Sequence, residues 1–193
     1  MPRWDAQAED RLRAAAIELF LEFGYENVTV AQIADRAGLT RRTFSRYFTD
    51  KRDVLFAGSE RLPGLLAGAL SRADPGLTPF EALLIALADV GAMLGAQVAL
   101  HAVQRREVVA RSSELQERGR TKFAAVADAT AAELVRRGSE PASATLLADV
   151  GVAIFRTGFD RWVDNPDRDD LAACLRQAGA ELADAVGTRS TAP

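Results

Sequence analysis

VTVAQIADRAGLTRRTFSRYFTDK, residues 28–51, decides the fold. Thr29 is placed to cap a short helix over about 30–37, which Gly38 ends. Thr40 then caps a second short helix over about 41–47, so the turn between them is Ala37-Gly38-Leu39. Ile33, Ala34, Ala37, Leu39, Phe44 and Phe48 are spaced to pack inward. Their partner is a preceding helix over about 6–24, whose apolar stripe is Leu12, Ala16, Leu19, Phe20 and Phe23, with Gly24 as its stop. Arg41, Arg42, Thr43, Ser45, Arg46 and Tyr47 are left facing outward.

Two short helices about a tight glycine turn form a helix-turn-helix, in which one helix braces across a DNA backbone and the other enters the major groove. The outward residue types suit that task. Arginine reaches guanine O6 and N7 with two parallel donors. Hydroxyls such as those of Thr29, Thr40, Thr43 and Ser45, and the Lys51 ammonium, suit phosphate contacts that set register. Charge agrees with this reading. Residues 36–52 carry Arg36, Arg41, Arg42, Arg46, Lys51 and Arg52 against Asp50 alone, a local charge of +5 in a chain of net charge −3. A compact cationic patch on an acidic protein is the footprint of a polyanion-binding face.

Residues 10–56 resemble the DNA-binding head of the tetracycline-repressor (TetR) family. The resemblance runs through Phe20, Phe23-Gly24-Tyr25, Thr29-Val30, Ile33-Ala34, Ala37-Gly38, Thr43-Phe44, Tyr47-Phe48 and Lys51. It implies an all-α homodimer of about nine helices, with a helix-turn-helix head and a larger C-terminal body that binds ligand and dimerises. Two positions depart from the family pattern: Ser45 stands where many members carry tyrosine, and Tyr47 where they carry histidine. Ser45 offers a single hydroxyl donor in place of the phosphate contact assigned to that tyrosine. The Arg41-Arg42 tandem hints at guanine-containing half-sites.

The rest of the chain is consistent with this class. Of 193 residues, 48% are hydrophobic and 26% charged, and apolar residues recur at three and four, so the expectation is all-helical. One cysteine, Cys174, excludes an internal disulfide, and one histidine, His101, excludes most histidine-based catalysis. No cofactor or metal is expected, and an enzyme would have to rest on His101 with Asp89 or Glu107, without a nucleophile motif. The first residues contain no apolar segment of the kind that opens a signal peptide. The apolar run 82–103 carries Asp89, so it reads as a buried helix rather than a membrane span, and the expected location is cytoplasmic.

The expected division is a head at 1–52 and a body at 53–193. A helix starting near Lys51 should link them, kinked or split at Pro63-Gly64 and ended by Asp74-Pro75-Gly76. Further helices are expected near 79–96, 98–110, 113–138, 142–164 and 168–187. In the last two, Leu147, Gly151, Ile154 and Gly158, with Leu171, Leu175 and Leu182, form stripes suited to a two-fold four-helix interface. The alternative, that both stripes face the body's own core, stays open on the sequence. Dimerisation is expected because one seven-residue recognition helix reads few base pairs. A largely apolar effector pocket is expected among Met93, Phe123, Phe155 and Phe159, with Asp89, Gln97 and His101 as its polar groups. The function expected is a ligand-responsive repressor of a palindromic double-stranded DNA operator; a ligand-independent regulator or an activator is the alternative.

Overall fold

The computed structural model describes residues 6–56, 59–99, 101–165 and 170–187, with residues 6 and 95–99 described by their backbone alone. Ten α-helices and two short 3-10 turns occur among the described residues, with no strand. The helices are α1 (Ala6–Phe23), α2 (Val30–Arg36), α3 (Arg41–Tyr47), α4 (Asp53–Phe56), α5 (Leu62–Arg72), α6 (Pro79–Ala99), α7 (Ala102–Ala110), α8 (Ser113–Arg136), α9 (Pro141–Asp164) and α10 (Leu171–Gly187). The 3-10 turns are Tyr25–Asn27 and Ser59–Arg61. The helix expected to run on from Lys51 is two helices, and its interruption falls before Leu62 rather than at Pro63-Gly64. Pro63 sits in the first turn of α5, where its missing N–H leaves no bond unmade.

The chain forms two compact units, residues 1–60 with 101–120, and residues 61–100 with 121–193. The first unit is larger than the head expected at 1–52. Val54 and Leu55 of α4, Val108 of α7 and Leu115 of α8 are buried in the same core as Leu12, Phe20, Ile33 and Phe44, which draws those elements into it. Arg13 fastens α4 to α1, donating 2.7 Å to the Val54 carbonyl and 2.9 Å to Glu9, its guanidinium lying over the Phe48 ring.

In the second unit α10 packs on α6 and α9. Small residues set these approaches. A Cβ on Gly158 would lie 2.8 Å from the Leu175 side chain and 3.0 Å from its backbone, and one on Gly91 would meet Leu175 and the Ala172 backbone. One on Gly151 would crowd Leu83, and one on Gly179 would crowd Leu84. The stripe of Gly151, Ile154, Gly158, Leu171 and Leu175, expected at a dimer interface, is therefore buried within one protomer, because these helices need it to pack on each other. Leu147 and Leu182 on the same stripes are half-buried. The outer face of α9 carries Leu146, 66% exposed, together with Asp149, Arg156 and Asp160. By length and mean hydropathy α9 could cross a membrane, but eight of its residues are buried inside the unit, Ile154, Phe155 and Trp162 among them. The other apolar run is also helix core: Ala82, Leu83, Ala86, Leu87 and Val90 of α6 are buried.

Candidate nucleic-acid interface

Each cap of the two short helices is built locally. Thr29 Oγ1 accepts from the Gln32 amide at 3.3 Å, and the Gln32 side chain accepts from the Thr29 amide at 2.8 Å, a reciprocal capping box. The Thr29 hydroxyl also donates to Gln32 Oε1 at 2.8 Å, so it is spent on the cap rather than offered to phosphate. Thr40 Oγ1 accepts from the Thr43 amide at 3.1 Å, and the two hydroxyls lie 2.9 Å apart. The turn between the helices follows the Schellman pattern: Gly38 N–H donates to Asp35 O at 2.9 Å and Leu39 N–H to Ala34 O at 2.8 Å. Gly38 has φ of 65°, the left-handed conformation that a side chain strains. Arg11 of α1 closes the turn from beneath, donating to the Ala37 carbonyl.

On this frame Phe44 and Phe48 point into the core, their rings 5.4 Å apart, and the opposite face of α3 is open. Arg41, Arg42, Ser45 and Arg46 are exposed, and Thr43 and Tyr47 are half-buried. Arg41 and Arg42 have no ion-pair partner among the described residues. Arg46 lies over the Tyr47 ring at 4.9 Å and donates to its hydroxyl at 2.7 Å, so the two form one preorganised projection.

The cationic patch is narrower than its sequence count. Arg36 turns back to Glu18 and Glu22 of α1 at 3.4 Å each. Arg52 pairs with Asp50 at 2.5 Å and with Glu114 at 3.4 Å. Lys51 donates to the carbonyls of Tyr25 at 2.7 Å, Val28 at 3.1 Å and Glu26 at 3.4 Å, with its ammonium over the Tyr25 ring. Its donors are directed into the protein, against the phosphate contact expected of it. What remains outward is the cation row on α3.

A polar network absent from the sequence reading steadies the turn ahead of α2. Tyr25 donates to Glu114 at 3.2 Å, and Ser112 donates to Glu26 at 3.2 Å. Burial, and then the charge of Glu114, push the Tyr25 phenol well above its usual range, so it stays a donor. Burial pushes the Asp50 carboxyl up, yet hydrogen bonds from the Arg52 side chain and from the amides of Asp53 and Arg52 outweigh it and hold it below the usual range. Tyr25 and Glu114 are 89 residues apart, so no local spacing announces the pair. The Thr29-x-x-Gln32 capping box, by contrast, is a signal the sequence carried.

Residues 12–57 match the family model of bacterial regulatory proteins of the tetR family. The helix-turn-helix segment is thus similar to that family over those residues. The chain is 33% identical to TcmR of Streptomyces glaucescens, an HTH-type transcriptional regulator, over 108 residues. That alignment covers 53% of this chain and 48% of TcmR, so the chain matches about half the length of that relative. It is 28% identical to MftR of Mycobacterium tuberculosis, a transcriptional regulator named for mycofactocin biosynthesis, over 177 residues covering 89% and 85% of the two chains. Among solved structures, SmeT, a multidrug efflux pump repressor of Stenotrophomonas maltophilia, superimposes with a TM-score of 0.55 at 24% identity, over 92% and 89% of the chains. FadR of Bacillus subtilis, solved with stearoyl-CoA, gives 0.58 at 20%, over 90% and 96%. These two likenesses show a shared all-α fold.

The expected effector residues divide. In the second unit a small cavity of about 10 Å³ is lined by Leu62 and Leu66 of α5, Leu87 and Val90 of α6, Phe123 and Val126 of α8, and Gly151, Val152 and Phe155 of α9. Phe123, Phe155 and Phe159 form one row, with centroids 6.1 Å apart at each step, and Phe159 continues to Trp162 at 5.6 Å. Asp89 and Met93 do not join them: both are exposed on the outer face of α6, Met93 by 54%. The period of α6 turns Leu87 and Val90 inward and carries these two out. His101 precedes α7 in the first unit, in a left-handed conformation with φ of 66° and its ring 3.1 Å from Gln104. Gln97 lies on α6, but its side chain is outside the described residues. No group of three His, Cys, Asp or Glu side chains suited to a metal occurs among the described residues.

Proposed function

We propose that this chain is a ligand-responsive repressor that binds a palindromic operator as a homodimer in the cytoplasm. The carrying observation is the α3 face: Arg41, Arg42 and the Arg46–Tyr47 projection stand outward on a helix fixed from beneath by Phe44, Phe48 and the Arg11-closed turn. Arg41 and Arg42 would read base edges, and Ser45 and the amides at the start of α3 would meet phosphates. Two copies would set their α3 helices about 34–36 Å apart, one per successive major groove. Because the inner stripes of α9 and α10 are used within the protomer, the second copy would cover their outer faces, where Leu146 and Val186 are exposed.

The effector would act through α8. Its residues 113–120 belong to the first unit, where Glu114 bonds Tyr25 and Arg52, and its residues 121–136 to the second, where Phe123 lines the cavity. A coupling of about 1–3 kcal/mol along this helix would change operator occupancy roughly 5- to 150-fold. The test is a gel-shift titration of the full chain on its own promoter fragment, at several salt concentrations. A saturable complex that Arg42→Ala weakens is expected. A chain that retards promoter DNA no better than random DNA overturns the reading.

A further inference from the structure

We infer that the cavity of the second unit takes a neutral, flat, fused-ring aromatic effector, an inference that rests on the ligand-responsive reading above. Two observations converge on this class. The first is the lining: Leu87, Val90, Phe123, Val126, Val152 and Phe155 bring no polar side-chain atom to the cavity, so a charged group placed there would lose its hydration without a partner. The second is the ring row. Phe155 and Phe159 lie nearly parallel at 11°, Phe123 is tilted 56° to Phe155, and both Phe123 and Phe159 are only half-buried. The row therefore continues from the cavity, which Phe123 and Phe155 line, to the half-buried ring of Phe159. Ring edges and faces prefer offset or edge-to-face contact with further rings. A planar molecule makes those contacts without surrendering rotamers, whereas a flexible chain must be ordered and has no quadrupole to match.

At about 10 Å³ the cavity holds no more than one water, so entry requires the rings to part. Phe123 and Phe155 come from different helices, and a ligand wedged between them acts on α8 and α9 together. The ammonium of Lys122, on α8 beside the cavity-lining Phe123, lies 5.3 Å from the centre of that ring. It is the group an anionic ligand would use, and it makes the charge of the ligand testable.

The chain has two tryptophans, and Trp4→Phe leaves Trp162, at the end of the row, as the only emitter. The full-length Trp4→Phe protein is titrated with the neutral N-phenyl-1-naphthylamine, with its anionic relative 1-anilinonaphthalene-8-sulfonate, and with dodecanol as a straight-chain competitor. The neutral probe is expected to bind saturably with energy transfer from Trp162, and to bind more tightly than the sulfonate. Dodecanol at equal concentration should leave it in place. Phe159→Leu should weaken it about tenfold, and Phe123→Leu, on another helix, similarly, each with an unchanged circular dichroism spectrum. Absence of saturable binding, tighter binding of the sulfonate that Lys122→Gln abolishes, displacement by dodecanol, or unchanged affinity in both variants each overturns the assignment. The same probe is added to the promoter complex, and release is expected. Probe binding without release overturns the effector role while leaving the DNA-binding reading intact; failure of the untreated protein to shift promoter DNA defeats that reading instead.

Discussion

The ammonium of Lys51 lies 2.7 Å from the carbonyl oxygen of Tyr25 and 4.2 Å from the centre of the Tyr25 ring. One charge thus gathers the carbonyls of the 3-10 turn ahead of α2 and stacks on the ring that anchors that turn in the core. Bonds from a charged donor and a cation–π contact together are worth about 2–3 kcal/mol at a half-buried site. Lys51→Met should lower unfolding stability by about 2 kcal/mol in urea titrations. The slope of log affinity against log salt should stay at the wild-type value, because no phosphate contact is lost. A slope reduced by about one, with stability unchanged, would return Lys51 to the DNA backbone.

Arginines close in sequence divide by where their guanidinium groups go. Arg42→Ala should cost about 1–3 kcal/mol of operator affinity and relax preference at one base position, as a lost base-edge contact does. Arg36→Ala removes two exposed pairs at 3.4 Å to Glu18 and Glu22, and such pairs contribute about 0–1 kcal/mol to stability. Its operator affinity should remain within about twofold of wild type, or about 0.4 kcal/mol. Fluorescence anisotropy on a labelled operator at fixed salt separates the two, and equal losses would refute the division of the patch.

Asp50 gives the first unit a pH dependence of known sign. Its folded carboxyl titrates below the usual range, so its contribution to stability is complete above that range and is lost as pH falls through the lowered folded value. Asp50→Asn keeps an acceptor for the Asp53 and Arg52 amides but removes the charge that Arg52 pairs with. At pH 7 the variant should melt about 2–4 °C lower, and this gap should close as the solution is acidified below the usual carboxylate range. A gap that widens on acidification would contradict the lowered value.

The head was legible because its signals are local. Thr29, Gly38 and Thr40 announce their caps by type and position, and the observed helices fall within a residue of their expected ends. The outward face of α3 follows from Phe44 and Phe48 being four apart. What the sequence did not disclose are the contacts between distant segments. Periodicity shows that Ile154 and Leu175 lie on apolar stripes, but a stripe does not name its partner, and the partner proved to be the same chain. Lys51 misled for a related reason: a lysine beside a recognition helix reads as a phosphate donor until the Tyr25 carbonyls are seen beneath it. Asp89 and Met93 were drawn into the cavity by the apolar character of their neighbours, whereas the helical period turns them outward.

The closeness of Gly158 to Leu175 decides what substitution in the α9 stripe does. A methyl group at 158 would sit 3.0 Å from the Leu175 backbone, which cannot swing away as a side-chain tip can. Gly158→Ala should therefore destabilise the second unit by about 1–3 kcal/mol, the usual cost of overpacking, despite the better helix propensity of alanine. Ile154→Glu, at a position 3% exposed, buries a carboxylate without a recorded partner and should cost several kcal/mol. Both losses should appear in thermal melts at concentrations low enough to favour the monomer, since they arise within one chain. An interface position behaves differently: Leu146→Glu, on the exposed outer face of α9, should leave the melt of the isolated chain within about 0.5 kcal/mol of wild type. Light scattering of the three variants completes the comparison. Should Ile154→Glu yield a stable, fully folded monomer while Leu146→Glu remains dimeric, the inner stripe would be the interface after all and the outer face would be excluded.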